Sequence, residues 1–225
     1  MPTLYLVRHG QASFGADDYD HLSDLGRRQS VRLGQYWRER FGAALRFDAV
    51  LTGTLRRQIG TWQGMAEGGA FDAPHVSWPG LNEYDSHAVI AAIHPEPLAR
   101  PGTPELYRQH FRLLREGLAA WMDGRVQPVG MPSYADFRAG VVGALDHVRQ
   151  NFKGDVLLVS SGGPIATAVA HILDAPAATS IELNLRIRNT AVTEFAFTPK
   201  RHQLITYNTL PHLDAETYRD WVTYA

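Results

Sequence analysis

Apolar residues fall in two kinds of stretch along this chain: short runs that are apolar throughout, and longer stretches where they recur every three or four positions. Leu4-Tyr5-Leu6-Val7, ending at Arg8, is of the first kind. It predicts a strand buried on both faces, because a half-wet strand would alternate. Asp155 to Ser160 and Phe47 to Leu51 have the same character, and Val76-Ser77-Trp78 is a candidate further strand. Helical stripes lie between them. Ser23 can cap a helix with Leu33, Trp37 and Phe41 on its inner face, and a second helix is expected from Thr54 to about Met65. Thr103 and Pro104 open a helix lined by Leu106, Phe111, Leu114, Leu118 and Trp121. Ser133 with Asp136 forms a capping-box pattern before Phe137, Val141, Leu145 and Val148. A helix from Gly163 to about Leu173 follows the strand ending at Ser160. Two more strands, Thr190 to Phe197 and Gln203 to Tyr207, flank a turn over 198–202.

Strands alternating with helices predict an α/β fold: a mostly parallel central sheet with helices on both faces. Ligands of such sheets bind beyond the carboxyl ends of the strands. Arg8-His9 and Ser160-Ser161 both stand at such ends. Prolines at 95, 97, 101, 104, 128 and 132 set residues 84–132 apart. This stretch is read as a helical cap inserted into a single domain spanning 1–225.

Composition narrows the function more than the fold. A chain of 225 residues supports a full core without staples. With 22 basic and 23 acidic residues there is no basic excess for nucleic acid or an anionic membrane, so any preference for anions must be local. The absence of cysteine excludes disulfides, thiolate metal sites and cysteine catalysis. No apolar run approaches the ~18 residues of a membrane span. Met1-Pro2-Thr3 leads into a strand pattern without the features of a signal peptide, so a cytoplasmic location is expected.

Four blocks carry candidate chemistry. Arg8-His9-Gly10-Gln11 sets an imidazole beside a guanidinium, a pairing suited to accepting a phosphoryl group. Thr54-Leu55-Arg56-Arg57 supplies further cations, Leu81-Asn82-Glu83 a carboxyl group, and Ser160-Ser161-Gly162-Gly163 a strand-to-helix turn. That last turn has half of a serine-hydrolase nucleophile elbow. Glycine stands two residues after either serine, but leucine or valine stands two before. No G-x-G-x-x-G follows the first strand, and no histidine–carboxylate cluster has metal-ligand spacing.

Together the blocks resemble the histidine phosphatase superfamily, in its phosphoglycerate-mutase-like branch. Leu6-Val7-Arg8-His9-Gly10-Gln11 is similar to the family's opening signature, and the segment Asp20 to Gln29 is similar to the family's next stretch. The resemblance implies that His9 attacks phosphorus to form a phosphohistidine. Arg8, Arg57 and two histidines would hold the phosphoryl oxygens, and Glu83 would protonate the leaving oxygen. Gly10, Gln11 and Gly162 would line the anion site, with Gly162-Gly163 offering helix N-terminal N–H groups. The implied ligand is a phosphorylated small molecule or phosphate; no cofactor or metal is implied, and a homodimer would be compatible.

The sequence departs from the family at Ser161, where histidine usually precedes the two glycines. Losing a charged donor costs about 1.5–3 kcal/mol, and losing an oxyanion-type donor roughly 10²–10³ in rate. Three accounts compete: a weakened phosphatase, a silent phosphoanion-binding or regulatory module, or replacement of the charge by another histidine, for which His87 is the candidate. On the first account Ser161→His raises the rate. Gly15 stands where mutases carry asparagine, and the mutase's substrate-binding segment is not recognisable in 84–132, which argues against mutase activity. Gln58 replaces the small residue usual after the second arginine. Tyr84 and Trp121 are candidates for setting the substrate.

Overall fold

The computed structural model describes residues 1–13, 20–96, 98 and 103–224; Gly15, Pro97 and Pro101 lie outside them. Six strands form one sheet: β1 (Thr3–Arg8), β2 (Phe47–Thr52), β3 (His75–Ser77), β4 (Asp155–Ser160), β5 (Val192–Thr198) and β6 (Arg201–Thr209), in the spatial order β3-β2-β4-β1-β5-β6. The pairings β3-β2, β2-β4 and β4-β1 are parallel. β5 joins β1 antiparallel, and the β5–β6 hairpin extends that antiparallel edge. β1 and β4 are therefore central, which explains why their sequences are apolar without alternation.

Successive side chains of each central strand feed opposite cores. Tyr5, Val7, Val50, Leu157 and Val159 meet Leu33 and Trp37 of α1 (Asp24–Phe41) and Trp62 and Met65 of α2 (Arg56–Gly69). Leu4, Leu6, Leu51, Val156 and Leu158 face the larger core on the other side. That core is roofed by α4 (Pro104–Met122), α5 (Tyr134–Asn151), α6 (Gly162–Ile172) and the short helices α3 (Ser86–Ala91) and α7 (Thr179–Asn184). Val89, Leu114, Leu118 and Trp121, from the proline-punctuated stretch, pack into the same cluster as Leu4 and Leu158. Among the described residues no helix is long and apolar enough to cross a membrane.

The caps hold as expected: Ser23, Thr103 and Ser133 accept from the N–H groups of Gly26, Leu106 and Asp136. Three expectations need correction. Phe111 does not line the inner face of its helix. It is 42 % exposed, because the first turns of α4 project past the core and burial begins only at Leu113. α2 starts at Arg56, with Leu55 as its N-cap, which releases Thr54 to bond Asn82. The last hairpin is tighter than expected, with β6 beginning at Arg201. The helices α3 and α7 and the 3-10 helices at Pro79–Leu81, Pro211–Leu213 and Glu216–Trp221 had no counterpart in the sequence pattern.

Candidate active site

The site forms where β1 and β4 end side by side. Arg8 lies opposite Ser160 in the parallel register, and the His9 N–H continues the ladder to the Ser160 carbonyl at 2.8 Å. The His9 carbonyl accepts from Asn189 Nδ2 at 3.1 Å and from the Thr190 N–H at 3.4 Å. The imidazole is only 3 % exposed. Its Nδ1 lies 2.7 Å from the Gly10 carbonyl, which can only accept, so Nδ1 carries the proton and Nε2 keeps its lone pair. Burial, reinforced by the charges of Arg8 and Arg57, holds the His9 pKa well below the ordinary histidine value. His9 is therefore neutral at neutral pH, the state a nucleophile needs.

Two arginines flank it. Arg8 Nη1 donates to the carbonyls of Ile187 and Tyr224, both at 2.6 Å, so the C-terminal segment braces this side chain. Of the adjacent pair, Arg57 turns inward, 8 % exposed, and Arg56 turns outward. Arg57 Nη1 pairs with Asp20 Oδ1 at 2.8 Å, while Asp20 Oδ2 accepts from the Arg56 N–H at 3.0 Å. One carboxylate thus ties both arginines to the start of α2. Glu83 follows the Pro79–Leu81 turn. Its Oε2 accepts from the Gly163 N–H at 3.1 Å and its Oε1 from the Tyr84 N–H at 3.2 Å. Burial raises the Glu83 pKa above the usual carboxylate value, outweighing those two N–H groups and the pull of Arg57 and Arg8. Arg8 and Arg57 act on both His9 and Glu83, so the four groups form one electrostatic unit.

The other site residues predicted from sequence take more specific places. Ser161 is fully buried, and its Oγ accepts from Gln58 Nε2 at 2.8 Å. Ser160 Oγ donates to the Leu81 carbonyl at 2.7 Å. Neither serine hydroxyl bonds a histidine among the described residues, so the nucleophile-elbow reading gains no base. The Gly10 N–H goes to Thr61 Oγ1 at 2.9 Å, and a Cβ on Gly10 would overlap the Gly26 carbonyl. Gly10 therefore serves close packing against α1. Gln11 is tied by its N–H to Gln29 and by its Oε1 to Ser23 Oγ. Of the two glycines opening α6, Gly163 gives its N–H to Glu83 instead of leaving it for an anion, and a Cβ there would overlap Glu83 Oε1. Gly162 is the remaining first residue of α6. His87 does not supply the second histidine: its side chain is 91 % exposed on α3, beside Asp85. Tyr84 takes part, its hydroxyl accepting from Asn184 at 2.7 Å. Trp121 lies 6.1 Å from the Tyr84 ring, buried in the core.

Sequence reasoning missed Asp20 as the partner of Arg57 and Asn189 as a support of His9. Asp20 opens the Asp20–Gln29 segment, and its charge was the available signal. Asn189 had none, being 180 residues from the atom it holds.

Residues 4–210 match the model of the histidine phosphatase superfamily, branch 1. A comparison with curated protein sequences finds no match. Among solved structures, YhfR of Bacillus stearothermophilus is similar with a TM-score of 0.67 and 20% identity, over 94% of this chain and 99% of that one. A mycobacterial glucosyl-3-phosphoglycerate phosphatase is similar with a TM-score of 0.62 and 24% identity, over 93% and 99%. A phosphoserine phosphatase mutant from Entamoeba histolytica, in complex with phosphoserine, gives 0.63 and 20%, over 95% and 100%. The structural likenesses speak to the fold alone, but the family model spans nearly the whole sheet and every strand end described above: the chain belongs to the histidine phosphatase superfamily.

Proposed function

We propose that this protein hydrolyses phosphomonoesters of small molecules through a phosphohistidine on His9. The observation that carries the reading is the His9 ring itself, held neutral with Nε2 unprotonated between two arginines. In the first step Nε2 bonds to phosphorus as the ester P–O bond breaks, and Glu83 gives its proton to the departing oxygen. In the second, water attacks phosphorus and passes a proton to Glu83, the P–N bond breaks, and phosphate leaves. Phosphoryl transfer asks mainly for positioning and neutralisation of charge, which Arg8 and Arg57 supply. Arginine suits this because its planar fork bonds two oxygens together. The phosphatase names of two structural neighbours agree with a small phosphate ester as substrate. Residues 84–132 act in this reading as a cap whose Tyr84 stands beside Glu83 and Gly163.

Ser161 favours a second reading, a phosphoanion-binding module without turnover, because the position offers no charge. Phosphate release from p-nitrophenyl phosphate across pH 4–8, beside a His9→Ala control, separates the two. Turnover that disappears in the control, with an acid-labile phosphoenzyme trapped on His9, is the expected result. Equal rates in both proteins would overturn the hydrolase reading.

A further inference from the structure

The Gln58 side chain runs from the first turn of α2 to the end of β4 and is fully buried. Its Nε2 is 3.0 Å from the Leu81 carbonyl and 2.8 Å from Ser161 Oγ. A carbonyl accepts only, so the nitrogen end of the amide must face it. The second N–H of that nitrogen then goes to Ser161 Oγ, which is thereby cast as an acceptor. Its own proton must point elsewhere, and no described residue accepts it. The Leu81 carbonyl, which shares Gln58 with Ser161 Oγ, also accepts from the Ser160 hydroxyl. Ser161 also sits between the reacting groups. The residue before it is bonded to His9, and Gly163, two residues on, is bonded to Glu83. A phosphoryl oxygen, which only accepts, matches a hydroxyl whose proton has no acceptor among the described residues.

Holding Gln58 there is costly. Its Oε1 is buried without a partner, and it fits only because residue 53 is glycine, where a Cβ would overlap that oxygen. An amide kept at the expense of an unpaired carbonyl calls for a compensating role. We propose that Gln58 is a positioning residue that fixes the Ser161 hydroxyl as a neutral, non-titrating donor to the transferring phosphoryl group. The pair would take over the anion contact that a histidine makes elsewhere in the family. The proposal rests on the phosphatase reading above and goes beyond it by assigning Gln58 a role.

A double-mutant cycle over Gln58→Met and Ser161→Ala tests it, because methionine keeps the volume and removes the N–H groups. The readouts are kcat and KM for p-nitrophenyl phosphate and the affinity for orthovanadate, with melting curves to confirm folding. Ser161→Ala should lower kcat by roughly 10²-fold with little change in KM. Gln58→Met should lower it about tenfold when Ser161 is present, and have no further effect beside Ser161→Ala. Vanadate affinity should show the same non-additivity. Equal losses from Gln58→Met in both backgrounds would make Gln58 a structural wedge and overturn the inference, while leaving His9-dependent turnover intact. Should the wild type lack turnover yet bind vanadate, the phosphatase reading fails alone and the cycle in vanadate affinity decides the role of Gln58. A wild type that neither turns over nor binds vanadate overturns both.

Discussion

Placing a histidine at position 161 by Ser161→His alone should harm this protein, contrary to what the sequence suggests. Ser161 and Gln58 are both fully buried and in direct contact. An imidazole at 161 must compete for that buried space with the Gln58 amide. The substitution loses one hydrogen bond, about 0.5–1.5 kcal/mol, and overpacks the floor of the site at about 1–3 kcal/mol. A net loss of about 2–4 kcal/mol lowers the melting temperature of a domain this size by roughly 5–15 °C. Gln58→Ala removes about as many side-chain atoms as the histidine adds, so the double variant Ser161→His/Gln58→Ala should regain most of that loss. It should also gain rate. Exchanging a neutral donor for a charged one is worth about 1–2 kcal/mol, or roughly 5–30-fold in kcat. The gain requires the new imidazole to be protonated. Burial, and the charges of Arg8 and Arg57 that add to it at His9, would press on it too. The advantage should therefore grow as pH falls. Calorimetry and kcat against pH on wild type, single and double variants check this. A single variant that melts like wild type and turns over faster would refute the reasoning.

Four more outcomes are expected from the same geometry. Glu83→Gln should scarcely affect kcat/KM for p-nitrophenyl phosphate, whose leaving group needs no proton in the first step, yet lower kcat/KM for an alkyl phosphate by roughly 10²–10⁴-fold. With an alkyl substrate, kcat/KM should fall at low pH as His9 gains its proton, well below 6.5, and at high pH as Glu83 loses its own, above 4.5; Glu83→Gln should abolish only the high-pH limb. Gly163→Ala should mimic Glu83→Gln in this dependence on leaving group, because the added methyl displaces Glu83 Oε1; equal loss on both esters would count against that. His87→Ala should leave kcat and KM unchanged, since the side chain is 91 % exposed.

What the sequence revealed and what it hid divide along physical lines. β1 and β4 were legible because strands buried on both faces must be apolar at every position. The capped helices were legible because Ser23, Thr103 and Ser133 satisfy orphan N–H groups at fixed spacing. The short α3 and α7 offer too few turns for a period to emerge. At the site, the preference for Arg57 over Arg56 agrees with their burial. The meaning of Gln58 was not legible, because its partner lies 103 residues away and neither residue suggests the other. The bracing of Arg8 was hidden for another reason: it comes from the backbone carbonyls of Ile187 and Tyr224, and a carbonyl leaves no mark in the sequence.

The arginines also explain why the site need not hold a second charged histidine to be poised. Before a substrate binds, burial, helped by Arg8 and Arg57, keeps His9 unprotonated, and the arginines pull Glu83 toward ionisation against the stronger effect of burial. A phosphate dianion entering between them reverses both influences. Its charge offsets that of the arginines, and its own repulsion of a carboxylate pushes the Glu83 proton to stay on. In the proposed hydrolysis the nucleophile is thus set before binding and the acid is reinforced by it. A neutral hydroxyl at 161 leaves that sequence undisturbed, whereas a histidinium there would add a third cation and work against Glu83 keeping its proton. On that reading serine gives up transition-state charge stabilisation and in return keeps the acid protonated to higher pH. The high-pH limb of kcat/KM for an alkyl phosphate should accordingly lie higher in the wild type than in the Ser161→His/Gln58→Ala variant, and coincident limbs would show that position 161 has no electrical connection to Glu83.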